Sequence, residues 1–419
     1  MSKKLQPPRG TYDALPELAS RFNYIENTAR RVFSKRGYGE IRTPIFEQAD
    51  VYLRTVGETT DIVSKEMYLF EDRNGEKMAL RPEGTAGVVR SYFSNGLRQH
   101  LPLKLYYVGS PMFRYERPQK GRYRQFHQLG MECFGIAAPY ADVEVIAAGV
   151  ALLKTLGLQG DITVRMNSLG TAEDRKAYRE KLLAYFKPIK TQLSEESQGR
   201  LAKNPLRILD SKEREDQRFI PDAPRPIDSL CDSSLAHFSA VKSGLEALNI
   251  AYEIDTSLVR GLDYYTHTVF EIHGHGLGAQ SQVIGGGRFD GLFDQLGGES
   301  VPAVGFGCGM ERLESIMTQQ VLEERPVSFI VMDEKAYFNC LKLAESLRAQ
   351  DVKCLMPLEV TSFKAQMKKA NKFDAAYTVI VGESELENNV FQLKDMDEGT
   401  QHELSFDGVI EYFKNKETK

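Results

Sequence analysis

Leu103-Lys-Leu-Tyr-Tyr-Val108, Arg114-Tyr-Glu-Arg-Pro-Gln-Lys-Gly-Arg-Tyr-Arg-Gln-Phe126 and Gln128-Leu-Gly-Met-Glu-Cys-Phe134 follow one another in this chain. The outer two are short and rich in apolar residues and read as strands. The basic stretch between them then becomes a long loop joining antiparallel neighbours, and a loop carried on rigid strands is a usual place for binding residues. It crowds Arg114, Arg117, Lys120, Arg122 and Arg124 against one acid, Glu116, with Tyr115, Tyr123 and Phe126 interleaved. Guanidinium forks bind phosphate oxygens bidentately and aromatic faces accept a purine ring, so the loop suits a nucleotide triphosphate. A second cationic stretch, Leu258-Val-Arg-Gly-Leu-Asp-Tyr-Tyr265, reads with the first as one site that also takes a small polar substrate.

Toward the N-terminus, Asn74-Gly75 lies between apolar stretches at 68–70 and 77–80, a strong hairpin signal, and the second strand delivers Arg81-Pro-Glu-Gly-Thr85 at its end. Phe22, Ile25, Ala29, Val32 and Phe33 recur with helical period after Leu15-Pro16, and Gly37 follows, which predicts a long amphipathic helix. Glu40-Ile-Arg-Thr-Pro-Ile45 then reads as a strand whose Pro44 confines it to a sheet edge or a bulge, a candidate dimer seam. Toward the C-terminus, charged, helix-favouring sequence from about Thr171 passes through Ile220-Pro-Asp-Ala-Pro-Arg-Pro226 to a last helix near 235–248, predicting an inserted helical domain over 171–250. Strand-like sequence resumes at 252–254 and 268–272, and Gly285-Gly-Gly-Arg-Phe-Asp-Gly291 marks a close backbone approach. Beyond Pro326, strands at 327–332, 352–356 and 375–381 alternate with helices at 334–347 and 363–370, an α/β pattern.

A chain of 419 residues exceeds what one core holds, and at ~150 residues per domain it makes two or three. Apolar residues make up 42%, charged residues 27%, and the net charge is only -4. No apolar run reaches the ~18 residues that would span a bilayer. Any nucleic-acid contact must therefore come from local patches such as 114–124, not from a global positive field. The first residues, Met-Ser-Lys-Lys-Leu-Gln-Pro-Pro, lack the apolar core and cleavage site of a secretory signal, so a cytoplasmic location is expected. Cys133, Cys231, Cys308, Cys340 and Cys354 are odd in number, scattered and free of any Cys-x-x-Cys pair. They argue against a disulfide framework or a zinc site and read as small buried thiols.

Taken one at a time, the candidate residues have structural readings too. Glu83 and Thr85 suit a plain helix start, with Thr85 capping 86–92. Arg260, between Leu258-Val259 and Gly261-Leu262, needs an anionic partner such as Asp263 or Glu132. Tyr264 and Tyr265 fit the core and rim of a strand, His127 a structural hydrogen-bond donor, and Arg312 a solvated charge. The glycines at 285–287 and 305–309 are not followed by Gly-Lys-Ser/Thr and lack the full dinucleotide fingerprint. No Ser/His/Asp or Cys/His pairing offers a nucleophile.

In their order along one chain, however, Arg81-Pro-Glu-Gly-Thr85, the 113–126 loop, Leu258-Val-Arg-Gly-Leu-Asp-Tyr-Tyr265 and the 305–312 segment closely resemble the motifs of bacterial histidyl-tRNA synthetases, which are class II aminoacyl-tRNA synthetases. The resemblance runs from Arg9-Gly-Thr-Tyr-Asp-Ala-Leu-Pro16 to the C-terminal α/β region. It implies an α+β catalytic core of the class II type, an antiparallel sheet flanked by helices, built from residues 1–170 and 251–320. A helical insertion at 171–250 interrupts that core, and an α/β anticodon-binding domain follows at 327–419. The first helix and Pro44 would form the seam of a homodimer without membrane contact.

The implied reaction joins L-histidine to histidine tRNA through histidyl-adenylate, with ATP as substrate, Mg²⁺ as its companion and no protein nucleophile. Under the resemblance Arg114 bridges the histidine carboxylate and the α-phosphate, and Arg260 supplies a second cation there. Arg122 and Mg²⁺ hold the β- and γ-phosphates, while Phe126 and Arg312 sandwich the adenine. Glu83, Thr85 and Gln128 take the ammonium, Glu132 and Tyr265 with Tyr264 take the imidazole, and Arg117 and Gln119 meet the tRNA acceptor end. Phe289 stands where the family usually has tyrosine and Gly307 where alanine is common, and neither change removes a charge.

Two other readings compete. A non-catalytic regulatory paralogue, which binds histidine and controls ATP phosphoribosyltransferase, typically lacks the anticodon-binding domain and erodes the ATP-contacting arginines, whereas this chain keeps Arg114, Arg122 and Arg312 and continues past Pro326. A nucleic-acid-binding module without catalysis leaves the Arg260 segment and Glu83 unexplained.

Overall fold

The N-terminal helix forms where its apolar period demands. It spans Pro16–Ser34, with proline in the first turn and Phe22, Ile25, Ala29, Val32 and Phe33 buried. Gly37, at φ +76°, then turns the chain into the first strand. The computed structural model describes residues 5–55, 60, 62–119, 121–158, 162–209, 211–259, 264–274, 282–319 and 324–417. They divide into two compact units, Met1–Val321 and Leu322–Lys419. Among the described residues no helix is long and apolar enough to cross a membrane.

In chain order the strands of the first unit are β1 (Gly39–Glu40), β2 (Phe46–Gln48), β3 (Leu69–Glu71), β4 (Lys77–Leu80), β5 (Leu103–Phe113), β6 (Gln125–Phe134), β7 (Ile162–Ser168), β8 (Tyr252–Ile254), β9 (Thr266–Gly274), β10 (Gln282–Arg288) and β11 (Ala303–Gly309). One large sheet runs β1-β5-β6-β11-β10-β9-β7-β8. Its centre is antiparallel, and only the two edge pairs are parallel. The Asn74-Gly75 hairpin forms as expected and joins β3 to β4 in a small sheet ordered β2-β4-β3.

The strand expected over 40–45 does not form. Only Gly39–Glu40 pairs with β5, and residues 41–44 leave the sheet. A side chain from elsewhere takes two of their acceptors: the buried Arg81 guanidinium donates to the carbonyls of Thr43 (2.9 Å) and Pro44 (3.3 Å), and also to that of Pro111 on β5 (2.7 Å). Backbone polar groups need partners, and here one arginine replaces a ladder that Pro44 could not complete. Strands β5 and β6 run longer than expected, to Phe113 and from Gln125, with a bulge between Tyr107 and Ser110.

Alternation along β6 sends Leu129, Met131 and Cys133 into a core shared with the helices Pro16–Ser34 and Tyr140–Thr155. Gln128, Gly130 and Glu132 face the other way, and their partners on β11 are Gly309, Gly307 and Gly305. Next along the sheet, Gly307 and Gly305 pair with Gly285 and Gly287. This face is thus floored by glycines, and a Cβ on Gly305 would run into the Glu132 carboxylate.

Residues 171–250 contain the helices Ala172–Phe186, Glu195–Lys203, Arg214–Gln217 and Asp232–Ala247. Tyr178, Leu182, Phe186, Leu193, Leu201 and Ile208 form an apolar cluster of their own there. Helix Asp232–Ala247, by contrast, buries Phe238, Val241 and Leu245 in the main core. In the second unit the expected strands appear as β12 (Val327–Val331), β13 (Cys354–Leu355) and β14 (Tyr377–Val381), joined by β15 (Phe391–Asp395) and β16 (Gln401–Leu404), which the sequence reading missed. The order is β13-β12-β14-β15-β16, parallel for the first three and antiparallel for the last two.

Four cysteines are buried as expected, but Cys231 is exposed. It precedes helix Asp232–Ala247, where its main-chain N–H donates to Asp174 at 2.9 Å.

A buried ion pair locks β10 to helix Tyr140–Thr155. Arg288 and Asp142, at most 1% exposed, meet at 2.5 Å. The guanidinium also donates to the carbonyls of Ile136 (2.9 Å) and Ala138 (3.3 Å). Burial pushes the Asp142 carboxyl up, but His237 and Arg288 more than offset this and hold it low. Asp142→Ala strands the guanidinium and is expected to cost about 3–5 kcal/mol. Urea unfolding measures this, and the double variant Asp142→Ala/Arg288→Met should recover most of the loss.

Candidate active site

Residues 81–84 turn from β4 into the helix Thr85–Ser94. Thr85 was the expected cap, but Glu83 does that work: its carboxylate accepts the N–H groups of Thr85 (2.7 Å) and Ala86 (2.8 Å), donors that a helix start leaves unpaired. The Thr85 hydroxyl is thereby released to donate to Glu132 Oε1 at 2.7 Å. Glu132 is fully buried on β6, and its Oε2 has no partner among the described residues. Burial raises the Glu83 carboxyl, opposed by the N–H groups of Ala86 and Thr85 and by Arg114. Burial raises Glu132 further, opposed by Thr85 and reinforced by the negative charge of Glu83. Two coupled acids out of water, one with an idle oxygen, form a pocket that a ligand rich in N–H donors completes.

Aromatic rings wall this pocket. Tyr264 and Tyr265 are 3% and 6% exposed, with ring centroids 4.7 Å apart. Electrostatic coupling to Glu83 and Glu132 places Tyr264 beside both acids. Tyr107 was missed. Its ring fills the space over Gly84 and Gly130, where a Cβ would strike it, and its hydroxyl donates to Gln128 Oε1 at 3.1 Å. Nothing in the alternation of β5 distinguishes it from a core tyrosine. Phe289 lies edge-on to Tyr264 and Phe134 at 5.7 and 6.3 Å, so a missing hydroxyl strands no polar group. A Cβ on Gly307 would approach Gln128 Nε2 to 2.7 Å, so glycine here leaves that amide room.

On the other side of Arg114 lies the cationic cluster. Arg114 Nε donates to the Pro82 carbonyl at 2.8 Å, and its guanidinium sits 5.5 Å from the Phe126 ring centroid. Glu116 lies between Arg114 (3.9 Å) and Arg122 (3.5 Å). Arg312, in the first turn of helix Met310–Ile316, is half-buried, not the solvated charge its flanks suggested. It donates to the carbonyls of Gln282 (2.8 Å) and Gly121 (3.5 Å). Burial depresses its pKa, and repulsion from Arg122 and Arg114 lowers it further. Three arginines gathered around a single acid leave a positive potential that a polyanion relieves.

Arg117 and Gln119 are exposed on the loop, away from the acid pocket, and Gln119 pairs with Arg122 through the main chain. Arg260, Asp263 and Lys120 lie outside the described residues. His127 is a supporting donor: its Nδ1 lies 3.0 Å from Glu311, which also accepts the His127 N–H (2.9 Å) and the Tyr12 hydroxyl (2.7 Å). Glu311 and Tyr12 were not singled out from the sequence, because the contact spans nearly the whole first unit.

Arginines gathered over an antiparallel sheet, in place of a phosphate loop on a parallel one, separate class II aminoacyl-tRNA synthetases from other nucleotide-binding folds, and this chain is of that class. Residues 10–313 match the family model described as histidyl-tRNA synthetase, and residues 326–416 match that of an anticodon binding domain. The chain is 47% identical over 420 residues to a histidine–tRNA ligase of Streptococcus pyogenes serotype M28 and 48% identical over 410 residues to that of Rhodospirillum rubrum, covering 98% of each partner in both cases. The structure of apo S. aureus histidyl-tRNA synthetase matches 98% of this chain and 100% of its own, with a TM-score of 0.83 at 36% identity. The chain belongs to the histidyl-tRNA synthetase family.

A protonated carboxyl cannot accept from a donor where its hydrogen sits. Both acids are raised, so a ligand that donates to them is held fully only above their raised pKa values and is lost as the pH falls through them. Expected is a fall in kcat/KM for the amino acid on acidification that begins above the ordinary carboxylate range. Glu132→Gln should flatten that limb and weaken the amino acid by roughly 10–100-fold, the scale of one buried partner lost. Pyrophosphate-exchange kinetics across pH measure both.

Proposed function

We propose that this chain is a histidine–tRNA ligase that activates L-histidine with ATP, releases pyrophosphate, and transfers histidine from the adenylate to the 3′ end of histidine tRNA. The observation that carries this reading is the position of Arg114. It is electrostatically coupled to Glu83 on one side and stacked near Phe126 beside Arg122 and Arg312 on the other. A guanidinium there bridges the histidine carboxylate and the α-phosphate, holding nucleophile and target in line while its charge meets the negative charge that grows on phosphate oxygens. Arg260 is the second cation at that phosphate. Phe126 and Arg312 take the two faces of adenine, and Arg122 reaches the outer phosphates.

Glu83, Thr85 and Gln128 accept from the ammonium, with Tyr107 aiming the Gln128 amide. The idle oxygen of Glu132 accepts from the imidazole N–H, and Tyr265 and Tyr264 close around the ring. An apolar analogue leaves these groups unpaired, which is how the site discriminates. Among the described residues no three His, Cys, Asp or Glu side chains are grouped to hold an ion. A Mg²⁺ accompanying ATP would accordingly be held chiefly by phosphate oxygens, with Glu116 the nearest acid to Arg122, and it would neutralise charge on the β- and γ-phosphates.

Residues 1–170 and 251–320 then act as the catalytic core. The 171–250 segment clasps the acceptor stem, Arg117 and Gln119 meet the acceptor end, and 327–419 reads the anticodon. Ile45, Phe46, Leu69 and Phe70, between 43% and 54% exposed around the small sheet, supply an apolar surface for a homodimer. The reaction belongs in the cytoplasm, where its tRNA is used.

ATP–pyrophosphate exchange with each of the twenty amino acids tests the assignment. Exchange that requires histidine alone is expected, and a folded protein with no exchange would favour the regulatory paralogue. Arg260→His should slow exchange by roughly 100-fold or more, the scale of one lost transition-state donor. An unaltered rate removes Arg260 from the mechanism.

A further inference from the structure

The helix Ala172–Phe186 is rooted by one carboxylate. Asp174 closes a capping box with Thr171 and also accepts the Cys231 N–H (2.9 Å) and the Ser234 hydroxyl (2.6 Å). The start and the return of the helical excursion are thus tied to the same side chain. The neighbouring Arg175, half-buried, turns toward the core, where its Nη1 donates to the main-chain carbonyl of Tyr265 at 2.9 Å. Two residues on, the His267 N–H donates to the Gly170 carbonyl at 2.8 Å, and the Leu169 N–H donates to the His267 carbonyl at 2.8 Å. On the approach to the same stretch, the fully buried Asn167 donates through Nδ2 to the carbonyls of Thr256 (3.3 Å) and Leu258 (3.1 Å). Residues 167–175, the root of the helical segment, therefore hold both the approach to the Tyr264-Tyr265 pair and its exit into β9.

The Tyr265 ring has little freedom of its own. A Cβ on Gly287 would lie 2.9 Å from Tyr265 Cδ1, so the ring lies against the backbone of β10. A shift of its carbonyl is then transmitted to the ring and to Tyr264, whose ring lies tilted against it. We infer that Arg175 is a positioning residue for the amino-acid pocket, holding Tyr265 by its main-chain oxygen and coupling that pocket to tRNA bound on the helical segment. This rests on the reading that Tyr264 and Tyr265 face histidine and that the helical segment engages the acceptor stem. Coupling of this kind is reciprocal: if tRNA alters histidine affinity, histidine alters tRNA affinity by the same factor.

Arg175→Met keeps the apolar stem and removes the donors, whereas Arg175→Lys keeps one charged donor. KM for histidine, KM for ATP and kcat are measured by pyrophosphate exchange in the full-length protein, with and without saturating tRNA. Arg175→Met should raise the histidine KM about tenfold, the scale of one charge-assisted hydrogen bond, and leave the ATP KM unchanged. Arg175→Lys should restore most of the loss. The ratio of histidine KM values with and without tRNA should differ from one in the parent protein and approach one in Arg175→Met. An unchanged histidine KM overturns the positioning role, as do equal rises in both KM values or a Met variant that does not fold. A ratio of one in the parent, or one that Arg175→Met leaves alone, overturns the coupling. Failure of the parent protein to show histidine-dependent exchange would instead remove the underlying functional reading.

Discussion

Everything on the glycine-floored face of the large sheet depends on keeping one carboxylate, that of Glu132, out of water without a full set of partners. A sheet position ordinarily has side chains on its flanks, and a buried acid among them would be crowded or neutralised by packing. Here the cross-strand neighbour is Gly305, followed by Gly287 on β10, and the sheet clears a space no other residue type leaves open. The acid can be buried because the floor is bare. It stays reactive toward a ligand because Thr85 satisfies only one of its oxygens.

The pocket and the arginine cluster are mirror images in electrostatic terms. Burial raises the Glu132 carboxyl and the charge of Glu83 raises it further, while burial lowers Arg312 and the charges of Arg122 and Arg114 lower it further. Each half is a concentration of like charge, and the repulsion counts where a member is taken out of water, as at Glu132 and Arg312. The protein could have paired acids with arginines directly. It does so elsewhere, at Arg288 and Asp142, where the geometry is saturated and the site is inert. The contrast separates two uses of charge around a single sheet: where charge is fully met by the protein it locks strand to helix, and where it is left partly unmet, as at Glu132 Oε2, it is open to a ligand.

Local signals were legible in the sequence. The helix at 16–34, the Asn74-Gly75 hairpin and the basic loop between β5 and β6 are each encoded within a few residues of themselves. The candidate residues were readable mainly through their order along the chain, since Glu83, Arg114 and Arg312 have bland explanations when taken separately. What escaped was settled by distant partners. The break at 41–45 depends on Arg81, the release of the Thr85 hydroxyl depends on Glu83 taking the cap, and Tyr107 matters because of two glycines on other elements. Strand β16 was lost for a different reason: Gln401–Leu404 is an edge strand with an exposed, polar face and carries no apolar alternation to detect, whereas β15 does alternate, with Phe391 and Leu393 buried, and was overlooked.

The same distance argument explains why the helical segment is read poorly from its own sequence. Its inner helices satisfy one another through a small cluster around Phe186, so their pattern says only that they are helices. Its last helix, Asp232–Ala247, packs into the main core, but its start is fixed by polar groups. Asp174 gathers the two crossings of the chain, and hydrogen bonds from Ser234 and from the main chain of Thr171 and Cys231 overcome the cost of its burial and hold it ionised. An apolar hinge would slide and a salt bridge would swivel. A carboxylate accepting several directed hydrogen bonds resists both, so the root of the helices keeps a fixed place beside the chain that leads from Tyr265 into β9.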